Sequence, residues 1–163
     1  MTMKRLLPLM CAAIVVSACQ PSAQQQQAAA EPQPSATEMK EEANKKTVLA
    51  FYDAAINQKD FEAASQYLGD KYIQHNPQAK DGPEGLKGYI AFLKEKFPQQ
   101  HNEFKHVYAD GDYVIVHVHS VQVPDTRGRA IIDIFRLDNG KVVEHWDVIQ
   151  DIPETPANDN TMF

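Results

Sequence analysis

Two carboxylates and one histidine in the last third of the chain have the residue types and spacing that proton transfer requires. Asp133 stands between two isoleucines in an otherwise apolar run, so its side chain is predicted to point into the protein. Burial raises the pKa of a carboxyl group and suits it to general acid or base catalysis. His145 and Asp147 share one face of a predicted strand. That face lines a pocket if Trp146 points outward, and lies on the surface if Trp146 points inward.

Three further histidines could bring imidazoles to the same region. His117 and His119 alternate along one face of another predicted strand, and His75 precedes an Asn-Pro pair. Imidazoles and carboxylates together are ligands that Zn²⁺ accepts. The sequence contains no compact ligand motif such as His-Glu-x-x-His, and histidines more often form hydrogen bonds than bind metals. No metal site is therefore predicted.

An α+β framework is needed to bring these residues together. The first half of the domain repeats apolar residues at helical spacing, with Asp60 as a helix cap and Pro98 as a helix end. The second half alternates apolar and polar residues, and Asn139-Gly140 predicts a hairpin. Helices followed by antiparallel strands predict helices packed on one face of a curved sheet. The predicted helices cover 39–57, 61–68 and 86–97, and the predicted strands 101–109, 113–123, 129–137 and 142–150.

The composition restricts the possible classes of function. At 163 residues the chain has room for one ordinary domain. Its formal charge of -6 disfavours a nucleic-acid partner, which needs basic residues against its phosphates. The two cysteines are Cys11 and Cys19, so the folded part has neither a disulfide nor a thiolate. The sequence has no GxGxxG motif and no P-loop, and no cofactor is predicted.

The N-terminal segment predicts export and lipid anchoring. A basic start precedes about eleven apolar residues, a length typical of signal peptides and too short to cross a bilayer. Residues 16–19, Val-Ser-Ala-Cys, resemble the lipobox of bacterial lipoproteins, which implies lipidation of Cys19. The alternative is an ordinary secretory signal. We predict a signal peptide over 1–18, a disordered tether over 19–38, the domain over 39–153 and a flexible tail over 154–163. The predicted location is the cell envelope, at the outer membrane facing the periplasm, with the lipid as the only membrane contact.

Two stretches of the chain resemble a known family. They are residues 72–77 with the turn at 81–85, and residues 133–136 with 139–147. They are similar to the SnoaL-like branch of the nuclear-transport-factor-2-like superfamily, and in particular to its aldol-condensation-type members, over residues 40–152. The resemblance implies a cone-shaped half-barrel in which a bent antiparallel sheet wraps around three N-terminal helices and encloses a ligand pocket. It also suggests a homodimer, with His117 and His119 at a surface between two sheets rather than in a chemical role.

The resemblance implies roles for individual residues. The strand around Asp133 is similar to the ketosteroid-isomerase strand that supplies an oxyanion-hole aspartate, and Tyr52 lies near that family's oxyanion-hole tyrosine. Asn76 stands where the isomerases have their aspartate base, which disfavours steroid isomerisation. SnoaL-type cyclases use an aspartate base in the last-strand region, which implies Asp147, with Asp151 as the fallback. The other candidates are His145, His75 and His117 as catalytic groups and Tyr52, Asn76, Tyr89, Phe135 and Trp146 as ligand-binding groups.

Three functions remain open on this basis. The preferred one is a cofactor-independent enzyme that abstracts a proton next to a carbonyl, in an aldol-type or isomerase reaction on a small molecule. The second is a non-catalytic lipoprotein that binds a small ligand or docks a partner. The third is a hydrolase-like pocket that binds a metal. Burial of Asp133 together with His145 in one pocket favours chemistry, because unpaired buried charge is costly.

Overall fold

Three helices cover one face of a sheet in the structure, a computed structural model that describes residues 33–163. Helix α1 spans Ala36–Tyr52 and continues into a π-helical turn at Asp53–Asn57; α2 spans Phe61–Ser65 and α3 spans Gly82–Lys96. None of the helices within these residues is long and apolar enough to cross a membrane. The predicted signal peptide, Cys19 and most of the predicted tether lie outside the described residues.

Helix α1 begins before the predicted boundary at residue 39. Ser35 and Glu38 form a capping box, in which the Glu38 N–H donates to the Ser35 hydroxyl at 3.2 Å and the Ser35 N–H donates to the Glu38 carboxylate at 2.6 Å. This reciprocal pair satisfies two helix-end donors. Residues 36–38 are therefore helical, and the predicted tether over 19–38 is too long at its C-terminal end.

Five strands form one open, mixed sheet. They are β1 (Leu68–Gln74), β2 (His101–Asp110), β3 (Tyr113–Val121), β4 (Arg129–Asp138) and β5 (Lys141–Asp151), in the order β1-β5-β4-β3-β2. Neighbours from β2 to β5 are antiparallel, whereas β1 runs parallel to β5. The predicted α+β class and the antiparallel run of the last four strands are confirmed. The prediction of a wholly antiparallel sheet is wrong at β1, which lies between α2 and α3 in the chain and pairs in parallel with β5 at the edge of the sheet.

The concave face of the sheet carries the core. Val114, Val116 and Val118 alternate along β3 with no exposed surface, as their period of two predicts. They face α1, where the Phe51 ring meets the Phe135 ring edge-to-face at 5.9 Å between centroids. Each large apolar side chain buried in this way contributes roughly 1.5–3 kcal/mol. The pairing register shifts once between β1 and β5, once between β2 and β3, and once between β4 and β5, where Val143 is the extra residue on β5. An extra residue of this kind bends a strand.

The π-helical turn at Asp53–Asn57 ties α1 to the start of β2. The Asn57 side chain accepts a hydrogen bond from the Asn102 backbone N–H at 2.8 Å and donates one to the Asn102 carbonyl at 3.1 Å. Asn57 thus takes the place of a neighbouring strand for one residue of β2. The contact holds Asn102 and Tyr52, the last residue of α1, in a fixed relation.

Residues 154–163 form neither helix nor strand. The last residue, Phe163, packs on the convex face of the sheet. Its ring centroid lies 5.1 Å from the His117 ring and 4.8 Å from the His119 ring, and the Lys105 ammonium lies 5.4 Å from it. The convex side of β3 is therefore partly covered by the end of the chain.

Candidate functional site

A cavity of about 270 Å³ lies between the helices and the concave face of the sheet. Its walls combine aromatic rings with polar groups, as is typical of small-molecule sites. The aromatic lining residues are Phe51, Tyr52, Tyr72, Tyr89, Phe92, Phe97 and Phe135, and the polar ones are Gln74, Asn76, Gln78, Gln100, Asn102, Gln122, Arg129, Asp133, His145 and Asp147.

The β4–β5 hairpin sets the register of the site. Asn139 and Gly140 both adopt positive φ, 49° and 72°, as a tight two-residue hairpin turn requires. Next to the turn Leu137 pairs with Val142, and a register shift between Leu137 and Arg136 then brings Asp133 directly opposite Asp147. One ligand atom from each of Asp133, His145 and Asp147 lies within 4.8 Å of the others. Of the two registers left open by the sequence, the structure has the one in which His145 and Asp147 face inward.

Asp133 is the most deeply buried charged group of the cavity, with 3% of its surface exposed. The Tyr52 hydroxyl donates to its Oδ2 at 3.0 Å, and the His145 Nε2 lies 3.0 Å from its Oδ1. Burial raises the pKa of the Asp133 carboxyl, while the hydrogen bonds from His145 and Tyr52 oppose that rise. Asp133 is thus poised to hold a proton in a water-poor site.

The tautomer of His145 follows from its neighbours. The Asn76 backbone N–H donates to the Gln74 Oε1 at 2.9 Å, and the Gln74 amide nitrogen lies 3.3 Å from the Tyr72 hydroxyl. These contacts orient the Gln74 amide with its oxygen toward the His145 Nδ1, 3.0 Å away, so Nδ1 carries a proton. One further proton then lies between the His145 Nε2 and Asp133. The two residues form a pair that shares it.

Tyr52 belongs to a directed chain of hydrogen bonds. The Gln100 amide nitrogen donates to the Asn102 Oδ1 at 3.3 Å, and the Asn102 amide nitrogen donates to the Tyr52 oxygen at 3.1 Å. Tyr52 in turn donates to Asp133. Burial, followed by the nearby Asp133 charge, raises the pKa of Tyr52, which keeps its proton in place as a donor. Gln100 Oε1 is buried and has no hydrogen-bond partner within residues 33–163.

Asp147 is half-buried at the wall of the cavity. The Asn76 amide nitrogen lies 2.8 Å from its Oδ1 and 2.7 Å from its Oδ2 and donates to the carboxylate. Asn76 is thus the residue that orients Asp147, on the loop that follows β1. The carboxylate keeps lone pairs that can accept a proton from a bound molecule.

Two tyrosine hydroxyls offer donors to such a molecule. Tyr72 and Tyr89 both line the cavity, and neither hydroxyl has an acceptor in the described part of the chain. Burial raises the pKa of Tyr72 and of Tyr89, so both hydroxyls stay protonated at neutral pH. The negative charges of Asp133 and Asp147 act on both in the same direction.

Three predicted site residues lie outside the cavity. His75 stacks on Trp146 with 4.5 Å between ring centroids and contacts the Glu144 carboxylate at 2.8 Å. Strand alternation turns Trp146 to the convex face because its neighbours His145 and Asp147 face inward. His117 is likewise on the convex face of β3, beside Phe163. The predicted placement of His75, His117 and Trp146 in the site is therefore wrong, and the fallback Asp151 is exposed at the end of β5.

The remaining predicted residues all line the cavity: Asp133, Asp147, His145, Tyr52, Asn76, Tyr89 and Phe135. Sequence reasoning missed Tyr72, Gln74, Gln100, Asn102, Gln122 and Arg129. The alternation of side chains along strands could have identified some of these residues. Tyr72, Gln74 and Asn76 alternate along β1 and its extension, and Arg129 lies four residues before Asp133 on the same face of β4.

The profile of the SnoaL-like domain family matches residues 48–145, more than half of the chain. No curated protein matches the chain. Among solved structures, an NTF2-like protein of unknown function from Burkholderia xenovorans LB400 aligns with a TM-score of 0.59 and 20% identity, covering 73% of this chain and 91% of the other. A proposed SnoaL-like polyketide cyclase from Jannaschia sp. CCS1 aligns with a TM-score of 0.58 and 22% identity, covering 72% and 90%.

TsrD from Streptomyces laurentii aligns with a TM-score of 0.56 and 20% identity, covering 66% of this chain and 88% of its own. At these identities the likeness to solved structures establishes the fold, and the family follows from the domain match. The cone-shaped half-barrel implied by the sequence resemblance agrees with both. The chain belongs to the SnoaL-like domain family and has the NTF2-like fold.

Proposed function

We propose that the protein catalyses abstraction of a proton from the carbon next to a carbonyl group of a small organic molecule. The observation that carries the proposal is the buried Asp133–His145 pair facing Asp147 inside one cavity. Perturbed titratable groups in a cleft are typical of catalytic sites. The proposal is in keeping with the family, whose solved relatives include proteins described as polyketide cyclases.

Asp147 is the base in this proposal. Its carboxylate is held by Asn76 and is less buried than that of Asp133, so a substrate carbon can approach it. Asp133 is unsuited to that role because both of its oxygens already accept hydrogen bonds from the protein. A positioned base contributes typically about 10²–10⁴-fold to the rate.

The enolate oxygen formed by proton abstraction needs hydrogen-bond donors in place before the reaction. Tyr72 and Tyr89 supply hydroxyl protons at the cavity wall. The Asp133–His145 pair can donate its shared proton to the product. The site is restored when Asp147 releases the abstracted proton to water and the pair takes up a proton from water. No step of this scheme requires a cofactor.

Exchange of deuterium for the proton next to a carbonyl tests the proposal directly. A panel of small ketones and diketones in D₂O is followed by NMR with the purified full chain, the Asp147→Asn variant and the matched Asp151→Asn variant. Catalysed exchange by the wild type and by Asp151→Asn, and its loss of roughly 10²-fold or more in Asp147→Asn, supports the proposal. Exchange that persists in Asp147→Asn contradicts the assigned base.

Ligand binding without exchange would instead favour a non-catalytic binding protein. The aromatic lining and the cavity volume of about 270 Å³ suit a small apolar molecule with a few polar groups. Binding that is retained in Asp147→Asn and Asp133→Asn, with no exchange in any variant, is the expected result for that function.

A metal-binding pocket is a second candidate, because Asp133, His145 and Asp147 offer one nitrogen and two carboxylate groups within 4.8 Å. That donor set suits a divalent ion such as Zn²⁺. The hydrogen bonds that these three residues form with Tyr52, Gln74 and Asn76 would have to rearrange. Calorimetric titration with Zn²⁺, compared between wild type and His145→Ala, distinguishes this candidate by a stoichiometric heat that the variant loses.

The proposed setting is the cell envelope, with the domain anchored through lipidated Cys19. The lipobox-like residues 16–19 and the polar, aromatic-free stretch that follows them support this proposal. Metabolic labelling with a clickable fatty acid in a bacterial host tests it. Label on the wild type and none on a Cys19→Ala variant is the expected result.

A further inference from the structure

Arg129 is a cation at the wall of the cavity. It opens β4, is half-buried, and lies on the same strand face as Ile131 and Asp133. The other two arginines of the described chain are paired with glutamates: Arg127 with Glu154 at 3.6 Å and Arg136 with Glu144 at 2.6 Å. Within residues 33–163 the Arg129 guanidinium has no salt bridge or side-chain hydrogen bond. A cavity-lining guanidinium without a partner is suited to an anion from outside the chain.

The surroundings of Arg129 leave it available. Its neighbour across the strands on β5 is Asp151, an exposed residue to which it makes no salt bridge in the described structure. Gln122, Ile149 and Tyr89 line the cavity with it. The Arg129 charge lowers the pKa of Tyr89 while the Asp147 charge raises it, so both groups act on this hydroxyl.

Charge is therefore separated along the inner face of β4. Arg129 and Asp133 are four residues apart, which corresponds to about 13 Å between their Cα atoms in an extended strand. The Asp147 carboxylate repels an anionic group from one end of the cavity, while Arg129 attracts it to the other. An elongated ligand with one anionic end can enter this field in a single orientation, with its uncharged end at Asp147.

We infer that Arg129 binds a carboxylate of the substrate, and that the substrate is a small oxo-carboxylic acid whose carbonyl and carboxylate are separated by several bonds. The planar guanidinium matches a carboxylate through two parallel hydrogen bonds. The assignment of the oxo group to the ligand rests on the function proposed above, whereas the assignment of the carboxylate rests on Arg129 alone. The cavity volume of about 270 Å³ limits the ligand to small molecules.

Binding of levulinate, its two next longer straight-chain homologues and the methyl esters of all three tests the inference. Affinities are measured by calorimetry or ligand-observed NMR on the full chain and on Arg129→Gln, Arg129→Lys and Arg127→Gln. Arg127→Gln is the matched control, since Arg127 lies two residues away, is exposed and does not line the cavity. Melting curves establish that each variant is folded.

The expected result is that wild type and Arg127→Gln bind at least one acid roughly 10- to 100-fold more tightly than its ester. Arg129→Gln loses this preference, and Arg129→Lys keeps only part of it because it lacks the planar fork. Equal affinity for acid and ester in the wild type overturns the inference, as does an acid preference that survives in folded Arg129→Gln.

The same variants separate this inference from the proposed function. If Arg129-dependent acid binding is found but no acid exchanges its protons, the catalytic proposal fails and the carboxylate site stands. If exchange occurs equally with acids and esters and is unchanged in Arg129→Gln, the catalytic proposal stands and the carboxylate site fails.

Discussion

The two faces of strands β4 and β5 carry similar residue types in opposite surroundings. On the concave face, His145 lies 3.0 Å from Asp133, and both side chains are almost fully buried. On the convex face, His75 lies 2.8 Å from Glu144, with 40% of the histidine side chain exposed. Each face thus has one histidine–carboxylate contact, and the alternation of the strands keeps the two apart.

The two histidine–carboxylate contacts differ in their exposure to solvent rather than in their distance. Exposed ion pairs contribute about 0–1 kcal/mol because solvent screens them. In the cavity the same kind of contact is desolvated: the Tyr52 hydroxyl donates to Asp133, the Gln74 side-chain oxygen accepts from His145, and one proton is shared between the pair. The concave pair therefore has the burial that the proposed chemistry requires, whereas the convex pair is open to solvent.

The largest expected effect comes from removing one histidine from each face. His145→Ala should reduce exchange of the proton next to the carbonyl by roughly 10²-fold or more, because the shared proton is lost. His117→Ala, on the convex face, should leave the rate within about twofold of wild type. Kinetics of deuterium exchange measure both. Equal losses in the two variants would show that the contrast between the faces has no bearing on activity.

Asp133→Asn should change how stability depends on pH. Burial raises the pKa of Asp133 in the folded state, so the folded protein holds a proton that the unfolded chain has released above its own pKa of about 3.9. Wild-type stability should therefore fall as pH rises through the interval between these two pKa values. The Asn variant should lack that fall. Urea unfolding of both proteins at several pH values measures the fall in the free energy of unfolding, which corresponds to about 1.4 kcal/mol for each unit by which the pKa is raised.

Asn57→Ala tests whether the π-helical turn positions the site. Loss of its two hydrogen bonds to the Asn102 backbone should lower the free energy of unfolding by about 1–3 kcal/mol. Asn44→Ala is the matched control, since Asn44 donates to the Gly111 carbonyl at 2.9 Å and neither residue lines the cavity. The pH profile of exchange should shift in Asn57→Ala alone. An unchanged profile in both would make Asn57 purely structural.

The smallest effect is expected at Glu144 on the convex face. Its hydrogen bond with His75, followed by that with Arg136, lowers the pKa of Glu144. A lowered pKa contributes stability that is present above the unfolded value of about 4.3 and is lost as pH falls through the folded pKa. Glu144→Gln should cost at most about 1 kcal/mol at neutral pH and show less destabilisation by acid. Melting temperatures at several acidic pH values check this, and exchange activity should be unchanged.

Much of the inner face could be predicted from local patterns. The alternation along β3, the isoleucines around Asp133 and the Asn139-Gly140 turn each reflect the period of the strand or its turn chemistry, and all three are found in the structure. The two registers of β5 were equivalent in the sequence, because Trp146 and His145 are both plausible buried residues. The choice depends on the cavity that Asp133 already faces, which is a tertiary property.

The misplaced and missed site residues have a common physical cause: their positions depend on contacts with distant parts of the chain. His75 lies in a loop, where no period constrains the side chain, and its position depends on the Trp146 ring and Glu144. The edge pairing of β1 with β5 joins residues 71 to 74 positions apart along the chain and has no local signature. The alternation of Tyr72 and Gln74 is visible in the sequence, but their face points into the cavity only once β1 has joined the sheet.

The π-helical turn at Asp53–Asn57 also constrains how this region can change in length. Deleting one residue there would let the helix close with ordinary α geometry, in which successive residues turn by about 100° around the axis. Asn57 would then point away from the Asn102 backbone that it now contacts. Side chains along this segment can be exchanged one at a time, whereas an insertion or deletion would disturb the start of β2 and the tyrosine beside it. Relatives that keep the same chemistry are therefore expected to align across this segment without gaps.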